Sequence, residues 1–202
     1  FLLLHDRSGI STGEVPLDTI GLNALEPPMA FDSAGKLFAL GSLTIGGTEV
    51  LDDTPLQLLR CDLRTSNCQR FLPDLEEISI DAFVINPVDG NLLLIDTSSG
   101  LLFKANPDGK VLARAELEMS THPVLRLHAG LLLINSAYGT GIRVFRYETS
   151  AFAQQLDEIP LLPPAAREAK QSVVSDFVWS GGVWWASLNN PESGSMGLYR
   201  FD

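Results

Sequence analysis

The segment DAFVINPVDGNLLLIDTSSGLLFKANPDGKVLARAEL, residues 81–117, decides the fold class. It contains four short apolar runs separated by turns rich in Gly, Asn, Asp and Pro. Runs of this length favour strands, because helices need about ten residues or more. The segment therefore predicts one sheet of four antiparallel strands joined by hairpins.

The same cycle of apolar runs recurs along the chain, which indicates a repeat architecture. The first turn of each copy closes on a glycine, at Gly35, Gly90, Gly130 and Gly182. Four strands per unit, in units of roughly 40 to 50 residues, are typical of a β-propeller. We predict an all-β propeller of four-stranded antiparallel blades with about five units visible. The alternative is a β-sandwich or an open meander.

Residues 1–202 are predicted to form a single propeller domain. The N-terminus repeats the second half of a unit, and the last unit stops one strand short. Ile10–Leu17 could complete the last blade, because closure removes exposed sheet edges; alternatively the propeller is incomplete or trimmed. Pro163–Gln171 alone has a helix-forming composition. The predicted units are a half blade at 1–20, blades at 24–74, 78–119 and 121–160, and a blade lacking its last strand at 173–202.

Composition excludes several classes of partner. The net charge is -11, and the 14 Lys and Arg residues are spread singly, which argues against nucleic acid as a partner. No apolar run approaches the roughly 18 residues of a membrane helix. The opening FLLLHD lacks the features of a signal peptide and resembles a mature or trimmed start.

The two cysteines, Cys61 and Cys68, lie in one predicted hairpin. If the turn contains residues 63–66, the cysteines are directly opposite, with their Cβ atoms about 4.5 to 5.5 Å apart. This geometry favours a disulfide over a metal clip, and the spacing is too wide for a C-x-x-C redox motif. Because cytosolic proteins rarely keep such a bond, a periplasmic or secreted location is expected.

Two repeat segments, GLYRFD at 197–202 and NPDGKV at 106–111, resemble the recurring text of the NHL and gluconolactonase-like (SMP-30) β-propellers. The resemblance implies the propeller fold. It also implies a divalent cation, Ca²⁺ or Mg²⁺, held in the central channel by side chains at the start of the innermost strands. The positions that match in this chain are Glu26, Asp81, His122 and Asp176.

These four residues would converge in a propeller, because the loops that lead into the innermost strands all open on one face. Carboxylates and imidazole bind divalent cations, and the cation could acidify a water or polarise a lactone carbonyl. The alternative is that they are solvated loop charges and a hydrogen-bonded histidine.

The loops between the second and third strands should open on the same face and could bind a ligand. Their candidate residues are Asp52, Asp53, Tyr138, Asn189 and Asn190. Ordinary solvated connections are the alternative, and for Asp52 and Asp53 we prefer it because the ligand spacing of a calcium loop is missing. In the last unit, Trp179, Trp184, Trp185 and Phe177 form an aromatic cluster whose expected role is mainly packing.

No short catalytic motif is present: the sequence has no G-x-S-x-G, H-E-x-x-H or phosphate-binding loop. The first hypothesis is a non-enzymatic β-propeller of the bacterial cell envelope or an exported protein, which binds a protein or small molecule on its loop face. The second is a metal-dependent lactonase or esterase with its site in the central channel. Unpaired blade edges could also support self-association.

Overall fold

The computed structural model describes residues 2–5, 8, 10–43, 57–72, 78–120, 122–135, 141–160, 173–189 and 196–201. Almost all of its regular structure is strand, with two 3₁₀ turns at Asp18–Ile20 and Thr149–Ala151. No helix among these residues has the length and apolar character needed to cross a bilayer.

The strands form antiparallel sheets in which chain neighbours are sheet neighbours. An N-terminal hairpin contains β1 (Leu2–His5) and β2 (Ser11–Val15). Three four-stranded blades and one three-stranded blade follow. The first blade contains β3 (Leu22–Phe31), β4 (Leu37–Leu43), β5 (Gln57–Asp62) and β6 (Asn67–Arg70); the second β7 (Ala82–Ile85), β8 (Leu92–Asp96), β9 (Leu101–Ala105) and β10 (Val111–Glu116); the third β11 (Leu125–His128), β12 (Leu131–Asn135), β13 (Gly141–Phe145) and β14 (Gln155–Pro160); the fourth β15 (Val173–Ser180), β16 (Val183–Asn189) and β17 (Met196–Phe201).

Apolar residues on both faces of each central blade pack against the neighbouring blades. In β8, Leu92 and Leu94 contact the first blade through one cluster. Leu93 and Ile95 point to the opposite face and contact the third blade through another. Since side chains alternate between the two faces of a strand, a strand covered on both sides reads as an unbroken apolar run. Packing of neighbouring blades on both faces of β8 therefore explains its LLLI sequence, residues 92–95.

Four clusters of this kind join the successive sheets. The N-terminal hairpin packs on the first blade, the first on the second, the second on the third and the third on the fourth. The innermost strands β3, β7 and β11 lie next to one another. The predicted all-β propeller is confirmed, and the unit boundaries within it stay a prediction.

The turns explain why Asp, Asn and Gly recur in the sequence. In the first blade, Asp32 Oδ1 accepts hydrogen bonds from the amides of Ala34 and Lys36. In the second blade, Asn106 Oδ1 accepts from the amides of Asp108 and Lys110 in the same way. The glycines that close the first turns, Gly35, Gly90, Gly130 and Gly182, all have positive φ. An acceptor side chain followed by a glycine is therefore the local signal that reverses the chain.

Completion of the last blade by Ile10–Leu17 was a wrong prediction. In the described residues, β2 pairs with β1 in a separate two-stranded sheet. Val15 and Leu2 from this hairpin join the cluster formed by the first blade. The hairpin thus uses one face to cover the first blade, and no ladder joins it to β17. The helix-forming segment Pro163–Gln171 falls outside the described residues.

The predicted disulfide is confirmed. Cys61 and Cys68 are opposite each other in the β5–β6 ladder and are bonded. Cys61 is fully buried in the cluster between the N-terminal hairpin and the first blade. The bond closes a short loop, so its stabilisation through chain entropy is below about 3 kcal/mol. Its main consequence is to fix the register of one hairpin.

The turn before β10 fits closely against the first blade. Arg60 Nη1 donates a hydrogen bond of 2.7 Å to the Pro107 carbonyl. Two residues further on, Gly109 has a φ of +87°, and a Cβ there would lie 2.4 Å from the Phe71 carbonyl oxygen. Both backbone conformation and space therefore require glycine at this position.

Replacing Gly109 by alanine should destabilise the protein more than the same change at Gly130. Gly130 also has a positive φ, +77°, but nothing lies within 4 Å of a Cβ there. We expect Gly130→Ala to lower the free energy of unfolding by about 1 kcal/mol. Gly109→Ala should cost about 1–3 kcal/mol more, because the turn must move away from Phe71. Urea unfolding measures both, and equal losses would contradict the close fit.

Candidate functional site

A cavity lies where the innermost strands of the blades begin. Its volume is about 440 Å³. The start of β7, the segment before β11 and the first part of β15 contribute its walls, and the middle of β3 contributes one side. The lining residues are Pro27, Pro28, Asp81, Ala82, Phe83, His122, Pro123, Val124, Leu125, Arg126, Ser175 and Asp176.

The structure brings three of the four predicted metal ligands to this cavity. Asp81, His122 and Asp176 line it, while Glu26 is exposed on β3 opposite Leu40 and is not among the lining residues. Among the described residues, no group of three or more His, Cys, Asp or Glu side chains is arranged to hold a metal ion. As placed among the described residues, these side chains do not assemble such a centre. Binding of Ca²⁺ or Mg²⁺ by Glu26, Asp81, His122 and Asp176 stays a prediction.

The carboxylate of Asp81 is bound within its own blade. Its Oδ2 accepts hydrogen bonds from the Thr97 amide and the Thr97 hydroxyl, both 2.7 Å. Thr97 follows β8 directly, so this contact ties the beginning of β7 to the end of the next strand. Asp81 therefore stabilises the cavity wall with neutral donors and keeps its negative charge at the rim.

The carboxylate of Asp176 is paired with Arg126 from the neighbouring blade. Arg126 Nη2 lies 2.6 Å from Asp176 Oδ1, and the two side chains are 43% and 56% exposed. The Phe177 amide also donates to Asp176 Oδ1, at 2.7 Å. Arg126 Nη1 donates to the Leu125 carbonyl. This ion pair joins the third and fourth blades across the cavity wall.

The backbone around His122 is held by buried polar side chains. Asn135 Nδ2 donates to the His122 carbonyl at 2.9 Å, and Asn135 Oδ1 accepts from the Val124 amide at 2.8 Å. The His122 amide donates to Ser120 Oγ. Because Asn135 is 1% exposed, its own amide group depends on these partners for its hydrogen bonds. Asn135 thus fixes the segment that carries His122 at the rim.

The equivalent residue of the second blade, Asp96, holds the turn that follows its own strand. Both residues end a second strand after the text LLLI, and both are buried. Asp96 accepts hydrogen bonds from the amides and hydroxyls of Ser98 and Ser99. Burial raises the pKa of Asp96, but these hydrogen bonds outweigh it, and the net pKa is lower than the ordinary value of 3.8. Asn135 and Asp96 were not among the predicted site residues, although both occupy the same position in their repeats, directly after LLLI.

A buried arginine holds the connection that leads into the third blade. Arg143 Nη2 donates to the Glu118 carbonyl, and its guanidinium lies over the Phe145 ring. Burial lowers the pKa of Arg143, and the charges of Glu158 and Glu118 offset part of this effect. Within the described residues, its Nε has no hydrogen-bond partner. The side chain serves packing between the second and third blades, since Arg143 is opposite Ile134 of their shared cluster.

The aromatic cluster lies at the other end of the innermost strands. Trp179 and Trp184 contact each other, and both contact the ring of His128, with centroid distances of 4.8 to 5.2 Å. Trp184 and Phe177 belong to the core between the third and fourth blades. Trp185 points to the opposite face of β16 and is half-buried. The cluster therefore packs two blades together and does not contribute to the cavity.

Most of the predicted loop residues cannot be placed. Asp52, Asp53, Tyr138 and Asn190 lie outside the described residues. Asn189 is the last residue of β16, where it is opposite Val173 and Met196. A ligand-binding role for these loops stays a prediction.

Comparisons with known proteins give structural likeness only. No family model matches the chain, and no curated protein matches it. A structure of virginiamycin B lyase from Staphylococcus aureus, a catalytically inactive variant with quinupristin, superposes with a TM-score of 0.53 and 15% identity, covering 98% of this chain and 61% of that one. A Bacteroides caccae protein of unknown function gives a TM-score of 0.57 and 12% identity, covering 97% and 69%.

The periplasmic gluconolactonase of Pseudomonas aeruginosa gives a TM-score of 0.50 and 14% identity, covering 86% of this chain and 56% of that one. These likenesses show the fold. The chain resembles gluconolactonase-like propellers in structure, as the repeat segments predict, and it also resembles virginiamycin B lyase. The chain spans about 60% of the length of the streptogramin B and virginiamycin B lyase structures that it matches.

Removing the Asn135 side chain should loosen the rim of the cavity. Asn135→Ala deletes two hydrogen bonds: the Val124 amide loses this acceptor, while the His122 carbonyl keeps the Ser120 hydroxyl as a donor at 3.4 Å. We expect a loss of about 2–3 kcal/mol in the free energy of unfolding. Asn91→Ala, which deletes an exposed hydrogen bond to Asp89, is the control and should cost less than about 1 kcal/mol. Similar losses in the two variants would show that Asn135 does not hold the rim.

The stabilisation by Asp96 should depend on pH. Its pKa is lowered in the folded state, so the carboxylate stabilises the fold above its unfolded pKa and loses this effect as the pH falls through the folded pKa. Asp96→Asn should therefore be clearly less stable than the wild type at pH 7, with a gap that narrows below pH 3.8. Urea unfolding across this range, with Asp108→Asn as an exposed control, measures the gap. A gap that does not change with pH would contradict this role.

Proposed function

We propose that the cavity at the start of the innermost strands binds a small polar molecule. The observation that supports this most is the cavity itself, whose volume of about 440 Å³ lies within the range of small-molecule sites, about 300–1,000 Å³. Its lining combines prolines, Phe83, Val124 and Leu125 with the polar groups of Asp81, His122, Arg126, Ser175 and Asp176. An apolar wall with a few converging polar groups is the usual composition of a ligand pocket.

Binding without chemistry is the first form of this proposal. Each carboxylate at the cavity already has donors from the chain, Thr97 for Asp81 and Arg126 for Asp176. Groups held in this way provide a polar wall that is already ordered before a ligand enters. The ligand would be a small molecule; a protein partner on the same loop face is compatible with the exposed rim.

Hydrolysis of a lactone or ester is the second form. It is favoured by the placement of His122 on the cavity together with two carboxylates, and by the fold likeness to a gluconolactonase. A neutral imidazole at this position could take a proton from the water that attacks the carbonyl carbon. The metal-dependent version would need ligands that the described side chains do not assemble.

The proposal extends to location. A bonded pair of cysteines is typical of proteins that fold in oxidising compartments, and Cys61 and Cys68 form such a pair. We therefore place the protein in the periplasm or outside the cell. The disulfide carries this inference alone.

Ligand-observed NMR with D-glucono-1,5-lactone, D-gluconate and D-gluconamide tests the binding. At least one of the three compounds should bind with a Kd of about 1 mM or lower. Ser175→Phe and Ser175→Trp, which place a ring at an exposed position on the cavity wall, should abolish the signal, whereas Val88→Trp in an exposed turn should leave it unchanged. A melting curve for each variant checks that it is folded. Absence of binding by all three compounds, or equal binding by the cavity variants, would overturn the proposal.

Measuring the rate of hydrolysis distinguishes the hydrolase form of the proposal from the binding form. The hydrolase form expects acid release from the lactone and from p-nitrophenyl acetate above the buffer rate, with loss of that activity in His122→Ala. The binding form expects a signal in NMR and a hydrolysis rate equal to that of His122→Ala. Loss of activity without loss of binding in His122→Ala would assign the imidazole to chemistry rather than to the wall.

A further inference from the structure

Arg126 places a positive charge on the wall of the cavity. It is the only Lys or Arg among the described residues that line the cavity, in a chain whose net charge is -11. The overall field of such a chain repels anions, so this guanidinium is the permanent positive charge that the described lining offers to an anionic ligand. Arg126 lies on the innermost strand β11, at the same end as His122.

The contacts of Arg126 are suited to an exchange of partners. Nη1 is anchored to the Leu125 carbonyl at 2.8 Å, which holds the guanidinium against the wall. Nη2 is bound to Asp176 in a pair whose side chains are 43% and 56% exposed. Ion pairs with this exposure contribute little to stability, so replacing one carboxylate by another costs little.

Asp176 can release the arginine without being left unpaired. Its Oδ1 also accepts the Phe177 amide at 2.7 Å, and the exposed part of the side chain can be hydrated. The other acidic group on the cavity, Asp81, is bound by Thr97 of the second blade and does not contact Arg126 among the contacts described. One carboxylate of the chain therefore occupies the donor edge that a ligand carboxylate would use.

We infer that the cavity selects ligands with a carboxylate, which binds Arg126 in exchange for Asp176. This rests on the proposed binding of a small molecule in the same cavity. Asp176 acts as an internal competitor that keeps the guanidinium oriented while the cavity is empty. The exchange moves no proton and breaks no covalent bond.

Matched acids and amides test the inference. D-gluconate and D-gluconamide, like benzoate and benzamide, have nearly the same shape but differ in charge. In the wild type, the acid should bind about tenfold or more tightly than its amide, because hydrogen bonds to charged groups are the stronger ones. In Arg126→Gln the two affinities should become nearly equal, through loss of acid binding alone.

Asp176→Asn tests whether Asp176 competes with the ligand for Arg126 or only stabilises the fold. Removing the competitor should strengthen acid binding about two- to fivefold, the range that the release of a half-exposed ion pair allows, with no change for the amide. Asp157→Asn is the matched control, because it removes the same charge at an exposed position on β14. It should leave the acid-to-amide ratio unchanged.

The outcomes separate this inference from the proposed function. If acid and amide bind equally to the wild type, the cavity binds ligands but Arg126 does not select them, and the inference fails alone. If neither binds, both fail. Weaker acid binding in Asp176→Asn would show that Asp176 supports the ligand site instead of competing for it. An equal gain in Asp157→Asn would assign the effect to net charge.

Discussion

The structure depends on burial of both faces of each blade. A single sheet of four short strands cannot cover both of its own apolar faces. Neighbouring sheets must cover them for the fold to be stable. In β8 and β12 the covering is visible residue by residue: Leu93 and Leu132 share one cluster, while Leu92 and Leu133 pack in two others. Register is consequently fixed, because a slip by one residue would exchange the two faces of a strand. Stacking also sets the position of everything at the blade ends.

The cavity follows from that stacking. When blades lie side by side with their innermost strands together, the residues just before β7 and β11 and in the first part of β15 meet, although they are distant in sequence. Backbone at these ends leaves the ladder, so its polar groups need partners. Asn135 and Ser120 provide them for the segment before β11. At the end of β8, the Asp81 carboxylate accepts from the Thr97 amide. The polar wall of the cavity is therefore first a solution to hydrogen bonding, onto which recognition can be added.

The fold could be predicted because its cause is local and repeated. Apolar runs of strand length, Asp or Asn at turn starts and glycines at positive φ are each readable without knowledge of the partner strand. Convergence of Asp81, His122 and Asp176 also followed, since topology alone brings those loops together. The opposite cysteines Cys61 and Cys68 were predictable from one hairpin.

Other features depend on contacts that no short pattern records. Pairing of Arg126 with Asp176 joins residues in different blades, and the sequence gives no signal for which arginine meets which aspartate. The exposed position of Glu26 arises where β3 is irregular: its ladder to β4 shifts between Glu26 and Met29, because prolines cannot donate to a ladder. A motif match places a residue on a strand, but a local bulge decides whether it reaches the site.

The two acidic residues of the cavity show how their partners determine what each can do. Asp81 is bound by neutral donors and retains its charge, so it disfavours an anion close to the second blade. Asp176 is neutralised by Arg126, and its partner is available to any stronger acceptor that enters from solvent. A carboxylate ligand is therefore favoured near the fourth blade and opposed near the second. In the proposed site, this asymmetry would orient such a ligand with its charge toward Arg126 and its neutral part toward Phe83 and Pro28, the apolar side of the wall.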